Sequence, residues 1–297
     1  MNGTVEESLR ARVRNLDAMP SIPAVLSPLL RCLELPPDQI EIEKITELIS
    51  YDKSIAAQCL RMANSPLFAP GRAIETIRGA VIALGSRRLR DILWSSFLVR
   101  MAPKTEWPVN PAAFWEHSFG CAIVTQQLAH KVGWEDPEKA YLCGLLHDIG
   151  ELVYATLLPK EFAAAVEMAR SRNISLYDAE LELMGFTHTE TGRLLADYWS
   201  LPDDVRKVIE FHHAPERAPA PVILPALVHL GDLLCRMQGM GYGIEEMMEI
   251  DFVESSAWRL LQAELPQIGT VDVARFTLEL DSEAEEIRRL VSSVFKT

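Results

Sequence analysis

The chain has 297 residues, 48% of them hydrophobic, enough for a sizeable core and for one large or two small domains. Lys and Arg number 29 against 42 Asp and Glu, a formal charge of −13, and a field of that sign argues against broad binding to nucleic acid or to an anionic membrane. No apolar run approaches the ~18 residues of a membrane span, and the charged start "MNGTVEESLRARVRNLDAMP" has no apolar signal core, so a cytoplasmic protein is expected.

Most of the chain shows apolar residues at three- and four-residue spacing, punctuated by Pro and Gly, which predicts an all-α fold. "PSIPAVLSPLLRCLEL" predicts a short helix that stops at Pro36-Pro37. "IEIEKITELISYDKSIAAQCLRMANS" predicts two more, broken near Tyr51-Asp52. "IETIRGAVIALG" ends at Gly85, a fitting residue just past a helix end, and "SRRLRDILWSSFLVRM" follows. Arg87, Arg88 and Arg90 read as a solvated basic face rather than as a DNA-reading helix. "APKTEWPV" is a Pro-containing joint. Beyond it, Asn110 and Pro111 suit the cap and first residue of a helix whose apolar stripe (Phe114, Cys121, Val124, Leu128) includes His117.

The next helix, "AYLCGLLHDIG", runs apolar until it meets His147 and Asp148 side by side. "GFTHTETGRLLADYW" predicts a helix with Thr187 and Glu190 in capping-box positions and His188 in its first turn. "LPDDVRKVIEFHH" starts at Pro202 with acids in its first turn, and His212 and His213 continue its apolar face. "PVILPALVHLGDLLCRMQGMG" is apolar nearly all round, as a buried helix is, and Asp232 is its only carboxylate. "VARFTLELDSEAEEIRRLVSSVF" is amphipathic. Cys32, Cys59, Cys121, Cys143 and Cys235 are scattered among apolar neighbours without a C-x-x-C pair, so reduced core thiols are expected.

An adjacent His-Asp pair alone means little, since seven His and fourteen Asp in 297 residues give about 0.3 such pairs by chance. The coincidence carries more weight. His117, His147-Asp148, His188, His212-His213 and Asp232 fall on five predicted helices, each on or beside a buried face. Separate partners for five buried imidazoles and two buried carboxylates are a costly arrangement, and shared cations satisfy them all. Imidazole with carboxylate suits iron, zinc or manganese and is a poor match to magnesium or calcium. His229, one turn before Asp232, reads as a supporting histidine, and His130 as an exposed one.

The order His, then His-Asp, then Asp resembles the HD superfamily of metal-dependent phosphohydrolases, and His188 with His212-His213 resembles the two-metal sites of its HD-GYP branch. "LDAMPSIPAVLSPLLRCLEL", "ELISYDKSIAAQCLRMANSPLF", "TIRGAVIALGSRRLRDILW" and "GFTHTETGRLLADYWSLPDDVRKVIEFHH" are similar to the HDOD family, a regulatory relative, over roughly residues 12 to 240. The resemblance implies that His117, His147, Asp148 and Asp232 hold one metal, and that Asp148 bridges to a second held by His188 with His212, His213 or both. It implies two divalent transition metal ions, iron preferred by analogy, with manganese or zinc as alternatives. If the chain is active, Asp148 is the catalytic residue.

Three departures separate the chain from the hydrolytic relatives. "APERAPAPV" follows His212-His213 where those enzymes carry a Gly-Tyr-Pro loop, and the Gly-Tyr of "GMGYGIE" comes only after the Asp232 helix. Glu151 stands where they usually carry Lys. Ala113 stands one turn before His117, where a carboxylate for a third metal occurs in some relatives. The expected organisation is an N-terminal helical bundle (12–105) packed on an HD-type bundle with a metal site (106–240), followed by a helical C-terminal extension (241–297). The expected function is bacterial signal transduction or regulation through contacts with a protein partner or a second copy. The alternative is a metal-dependent phosphohydrolase acting on a phosphoester or nucleotide, with a phosphate-containing small molecule as ligand. Neither nucleic acid nor membrane is expected as a partner.

Overall fold

Helices form throughout the computed structural model, which describes residues 2–15, 26–33, 35, 39–65, 73–101, 107–241 and 252–295, and no strand occurs among them. The chain divides into two compact units, residues 1–20 with 102–280, and residues 21–101 with 281–297. Residues 102–106 of the Pro-containing joint, and 242–245 of "GMGYGIE", lie outside the described residues. Among the described residues no helix is long and apolar enough to cross a membrane.

The first helix, α1 (Asn2–Val13), belongs to the larger unit. Arg10 ties it down through Glu190 and the Gly185 carbonyl, both at 2.8 Å. The smaller unit contains α2 (Leu26–Leu33), α3 (Ile42–Ser50), α4 (Lys53–Ala63) and α5 (Ile77–Met101). Gly85 interrupts α5 with φ 72°, a conformation that costs a side-chain-bearing residue, so the helix breaks where the sequence predicts its end. Ile45, Ile49, Ile55, Cys59, Met62, Leu89, Ile92, Leu93 and Phe97 fill the core of this unit. Of the three arginines read as a solvated basic face, Arg87 and Arg88 are exposed and Arg90 is half-buried.

The larger unit continues with α6 (Pro111–Lys131), α7 (Pro137–Leu146), α8 (Ile149–Leu157), α9 (Pro159–Arg172), α10 (Leu176–Met184), α11 (His188–Tyr198), α12 (Asp203–Phe211), α13 (Ile223–Met237) and α14 (Ser256–Glu264). The last helix, α15 (Val273–Phe295), starts in this unit and ends in the smaller one, so residues 241–297 are shared between the units in this division. Asn110 caps α6 by accepting from the Ala112 N–H at 2.9 Å, with Pro111 in the first turn. The described cysteines are free; burial pushes the Cys59 thiol up to about 12 and the Cys121 thiol up to about 11, so both stay protonated and inert.

Two glycines set the close approaches that assemble the centre of the unit. A Cβ on Gly144 of α7 would lie 2.7 Å from the Cys121 carbonyl oxygen of α6. A Cβ on Gly150 of α8 would lie 1.8 Å from the His188 carbonyl oxygen and 2.7 Å from the Gly192 nitrogen of α11. Only glycine permits backbones this near. His147 and Asp148 lie between these crossings, and His117 and His188 are on the helices that they meet.

Candidate metal centre

Asp148 sits between two groups of histidines. Its Oδ2 is 3.0 Å from His147 Nε2 and 3.5 Å from His117 Nε2. Its Oδ1 is 3.1 Å from His212 Nε2 and 3.3 Å from His188 Nε2. His213 Nε2 joins from the side, 3.1 Å from His188 Nε2. Donor atoms of Asp148, His188, His212 and His213 lie within 4.8 Å of one another, and so do those of His117, His147 and Asp148. Asp232 stands beside the latter group, its Oδ1 3.2 Å from His117 Nε2 and held at 2.8 Å by Arg236 Nε. All of these except the half-buried His213 are buried. The structure therefore brings together every residue that the sequence singled out, and both His212 and His213 take part.

The remaining ring nitrogens are committed elsewhere. His117 Nδ1 donates to the Met240 carbonyl at 2.7 Å, and His147 Nδ1 to the Gly144 carbonyl at 2.7 Å. His212 Nδ1 donates to the Ile209 carbonyl at 3.1 Å, and His188 Nδ1 faces Glu180 Oε2 at 2.8 Å. A carbonyl oxygen only accepts, so the proton of a neutral imidazole sits on Nδ1 and the Nε2 lone pair faces inward. The inner faces then present lone pair to lone pair: His117 and His147 Nε2 are 3.2 Å apart. Such a set requires either protons or metal ions between its members. Without metal, protons serve. Burial opposes charge on His117 and His147, but Asp148 and Asp232 hold His117 up at about 9, and Asp148 with Cys121 holds His147 up at about 10. Burial keeps His212 neutral, down at about 4. Burial would raise Asp148 and Asp232, yet the adjacent His147 and Arg236 charges hold both well below the carboxylate range.

Two carboxylates extend the cluster. Glu180 of α10, fully buried, accepts from both the backbone N–H and the ring of His188, at 2.7 and 2.8 Å. The expected capping box is replaced: the Thr187 side chain makes no cap bond and meets Thr189 at 2.8 Å, while Glu190 pairs with Arg10. Glu180 takes the N-terminal donor because it must already sit there to orient His188. No local spacing marks Glu180, whose partner lies eight residues on across a turn. Glu151 is also buried, and its donor atoms lie within 4.8 Å of those of Glu180 and His188. Burial, reinforced by the Asp148 charge, pushes its carboxyl well above the usual range. His229 lines the same cleft as Glu151 and donates from Nδ1 to the His212 carbonyl at 2.7 Å. A cleft of about 670 Å³ reaches the cluster past Tyr177, Arg217 and His213.

The HDOD domain family matches residues 19–215 of this chain. The chain belongs to the HDOD family. Among solved structures, this HDOD chain is similar to an HDOD domain protein from Geobacter sulfurreducens, with 29% identity, 99% of each chain covered and a TM-score of 0.84. It is also similar to a candidate phosphohydrolase from Shewanella amazonensis SB2B, with 27% identity, 95% of this chain and 98% of that one covered and a TM-score of 0.72. An uncharacterized protein of Treponema pallidum (strain Nichols) is 29% identical over 205 residues, 69% of this chain. The match spans 39% of that relative's length. The HDOD match covers the residues that carry the cluster up to His213, and Asp232 is contributed from beyond it.

Proposed function

We propose that this HDOD chain is a bacterial signalling or regulatory module that holds two divalent transition metal ions and acts mainly through protein contacts. The observation that carries the reading is Asp148, which presents one oxygen to His117 and His147 and the other to His188 and His212. His117, His147, Asp148 and Asp232 hold one ion, and Asp148, His188, His212 and His213 the other. Nitrogen donors with few carboxylates suit iron, manganese or zinc, and the family resemblance favours iron. Such a pair, when bound, supplies Lewis-acid polarisation of a phosphoryl oxygen. The chain's own residues supply the order. The Met240, Gly144 and Ile209 carbonyls fix the imidazole tautomers, and Arg236 holds Asp232 in place.

Output through contacts is supported by Glu151, an acid on the wall of the cleft, and by "APERAPAPV" in place of the Gly-Tyr-Pro loop. It is supported too by the smaller unit, whose sequence holds no histidine. The partner is a protein or a second copy of this chain, and the protein works in the cytoplasm. A phosphohydrolase is the second reading. The cleft that reaches His213 and Asp232 past Arg217 and Arg236 favours it, as does the likeness to the Shewanella protein. Asp148 is then the catalytic bridge and a phosphoester or nucleotide the substrate.

The first test is elemental analysis of protein grown with iron, zinc and manganese, with one to two equivalents of metal expected; none at all sinks the proposal. Stripping the metal from folded protein is expected to change self-association or affinity for a captured partner by about 5- to 150-fold, the usual range of coupling between sites. Equal affinities, together with hydrolysis of a generic phosphoester that chelation abolishes, would put the second reading ahead. Metal-loaded protein should not turn over a cyclic dinucleotide efficiently, and rapid hydrolysis of cyclic di-GMP would show that Glu151 and the absent loop count for little. Glu180→Gln should lower metal affinity about 10- to 100-fold, as loss of a carboxylate that orients a metal-binding histidine does. A competition titration against a chelator measures this, and an unchanged affinity would reduce Glu180 to a helix cap.

A further inference from the structure

Glu151 is 1% exposed, and neither of its carboxylate oxygens has a hydrogen-bond partner among the described residues. It lies in the first turn of α8, three residues after the cap residue Asp148, so it shares the end of the helix that stands beside the histidines. A buried carboxylate is stable only with a cation, a proton or several donors around it. Without a bound ion a proton meets that need, and no nearby group among the described residues donates a hydrogen bond to either oxygen. Arg236 Nε is directed at Asp232, at 2.8 Å. Glu180 offers only acceptors, and its Oε1 is itself without a hydrogen-bond partner at 0% exposure. What stands close is His188, whose donor atom lies within 4.8 Å of that of Glu151.

We propose that Glu151 is an additional ligand of the ion held by His188, His212 and His213, and that it closes that ion against phosphate. The inference rests on the dinuclear reading above. Glu151 lines the same cleft as His188 and His213, so an anion that reaches the ion lies beside a fixed carboxylate. The anion must displace that ligand or lie beside its charge, and both lower its affinity. The ion then serves to hold helices together or to report on its own occupancy, and a phosphoester is a poor ligand for it.

Cobalt(II) is the probe, because its visible spectrum reports a change of ligand directly. Wild type and Glu151→Gln, an isosteric change, are loaded with cobalt and titrated with inorganic phosphate. The second equivalent of cobalt is expected to bind the variant about 10- to 100-fold more weakly and with an altered spectrum. Phosphate is expected to bind the loaded variant at least about tenfold more tightly than it binds loaded wild type. Unchanged cobalt affinity with an unchanged spectrum overturns the ligand assignment, and unchanged phosphate affinity overturns the closure. Wild type that takes up no cobalt fails earlier, at the dinuclear reading itself, and takes this inference with it.

Discussion

Asp148→Ala is expected to leave the purified protein nearly free of transition metal, with affinity for each ion lowered by at least about 100-fold. The reason is geometric. Its two oxygens face different histidine pairs, so one substitution removes a ligand from both ions. Losing His117 or His212 alone would weaken only one. Helix formation is not at stake: Asp148 precedes α8 as its cap residue, but its side chain makes no cap bond. Asp148→Asn keeps the volume and removes the charge, which separates the two contributions. Elemental analysis and a chelator competition on folded protein, checked by circular dichroism, read the result. Wild-type metal content in the Ala variant would mean that the histidines hold their ions without a bridge.

Gly150→Ala should have the largest effect on stability. Its new Cβ would lie 1.8 Å from the His188 carbonyl oxygen and 2.7 Å from the Gly192 nitrogen, both backbone atoms that no rotamer change can move aside. Helices α8 and α11 would have to separate. Overpacking against yielding side chains costs ~1–3 kcal/mol, and here about 3 kcal/mol or more is expected. At ~2–4 °C per kcal/mol for a unit of this size, the melting temperature should fall by roughly 6–12 °C. Metal binding should fall with it, because Asp148 and His188 stand at the N-terminal ends of those two helices. Gly269→Ala is the control, since its Cβ meets nothing within 4 Å, and a change within about 0.5 kcal/mol is expected. Thermal melts of equal midpoint for the two variants would show that the close approach is not needed.

Much of this centre was legible in the sequence because its signals are local. The apolar spacing around His117 and Asp232 reports which face of a helix is buried, and Asn110-Pro111 reports where one begins. The adjacency of His147 and Asp148 at the end of an apolar run marks a polar pair that burial forces to find partners. Those features determined that the fold is helical and that five histidines and two aspartates converge.

The tertiary structure alone decided how they converge. Thr187 and Glu190 have the spacing of a capping box, yet Glu180 occupies the donor that the box would use, because α10 delivers a carboxylate that also orients His188. His117 takes its tautomer from the carbonyl of Met240, 123 residues away. Glu151 reads in the sequence as an acid where the hydrolytic relatives usually carry Lys, and the tertiary structure buries it with no hydrogen-bond partner among the described residues. Sequence periodicity determines which face of each helix is buried. Which carboxylate meets which imidazole depends on how closely two helices approach, and at these crossings that distance is set by Gly144 and Gly150.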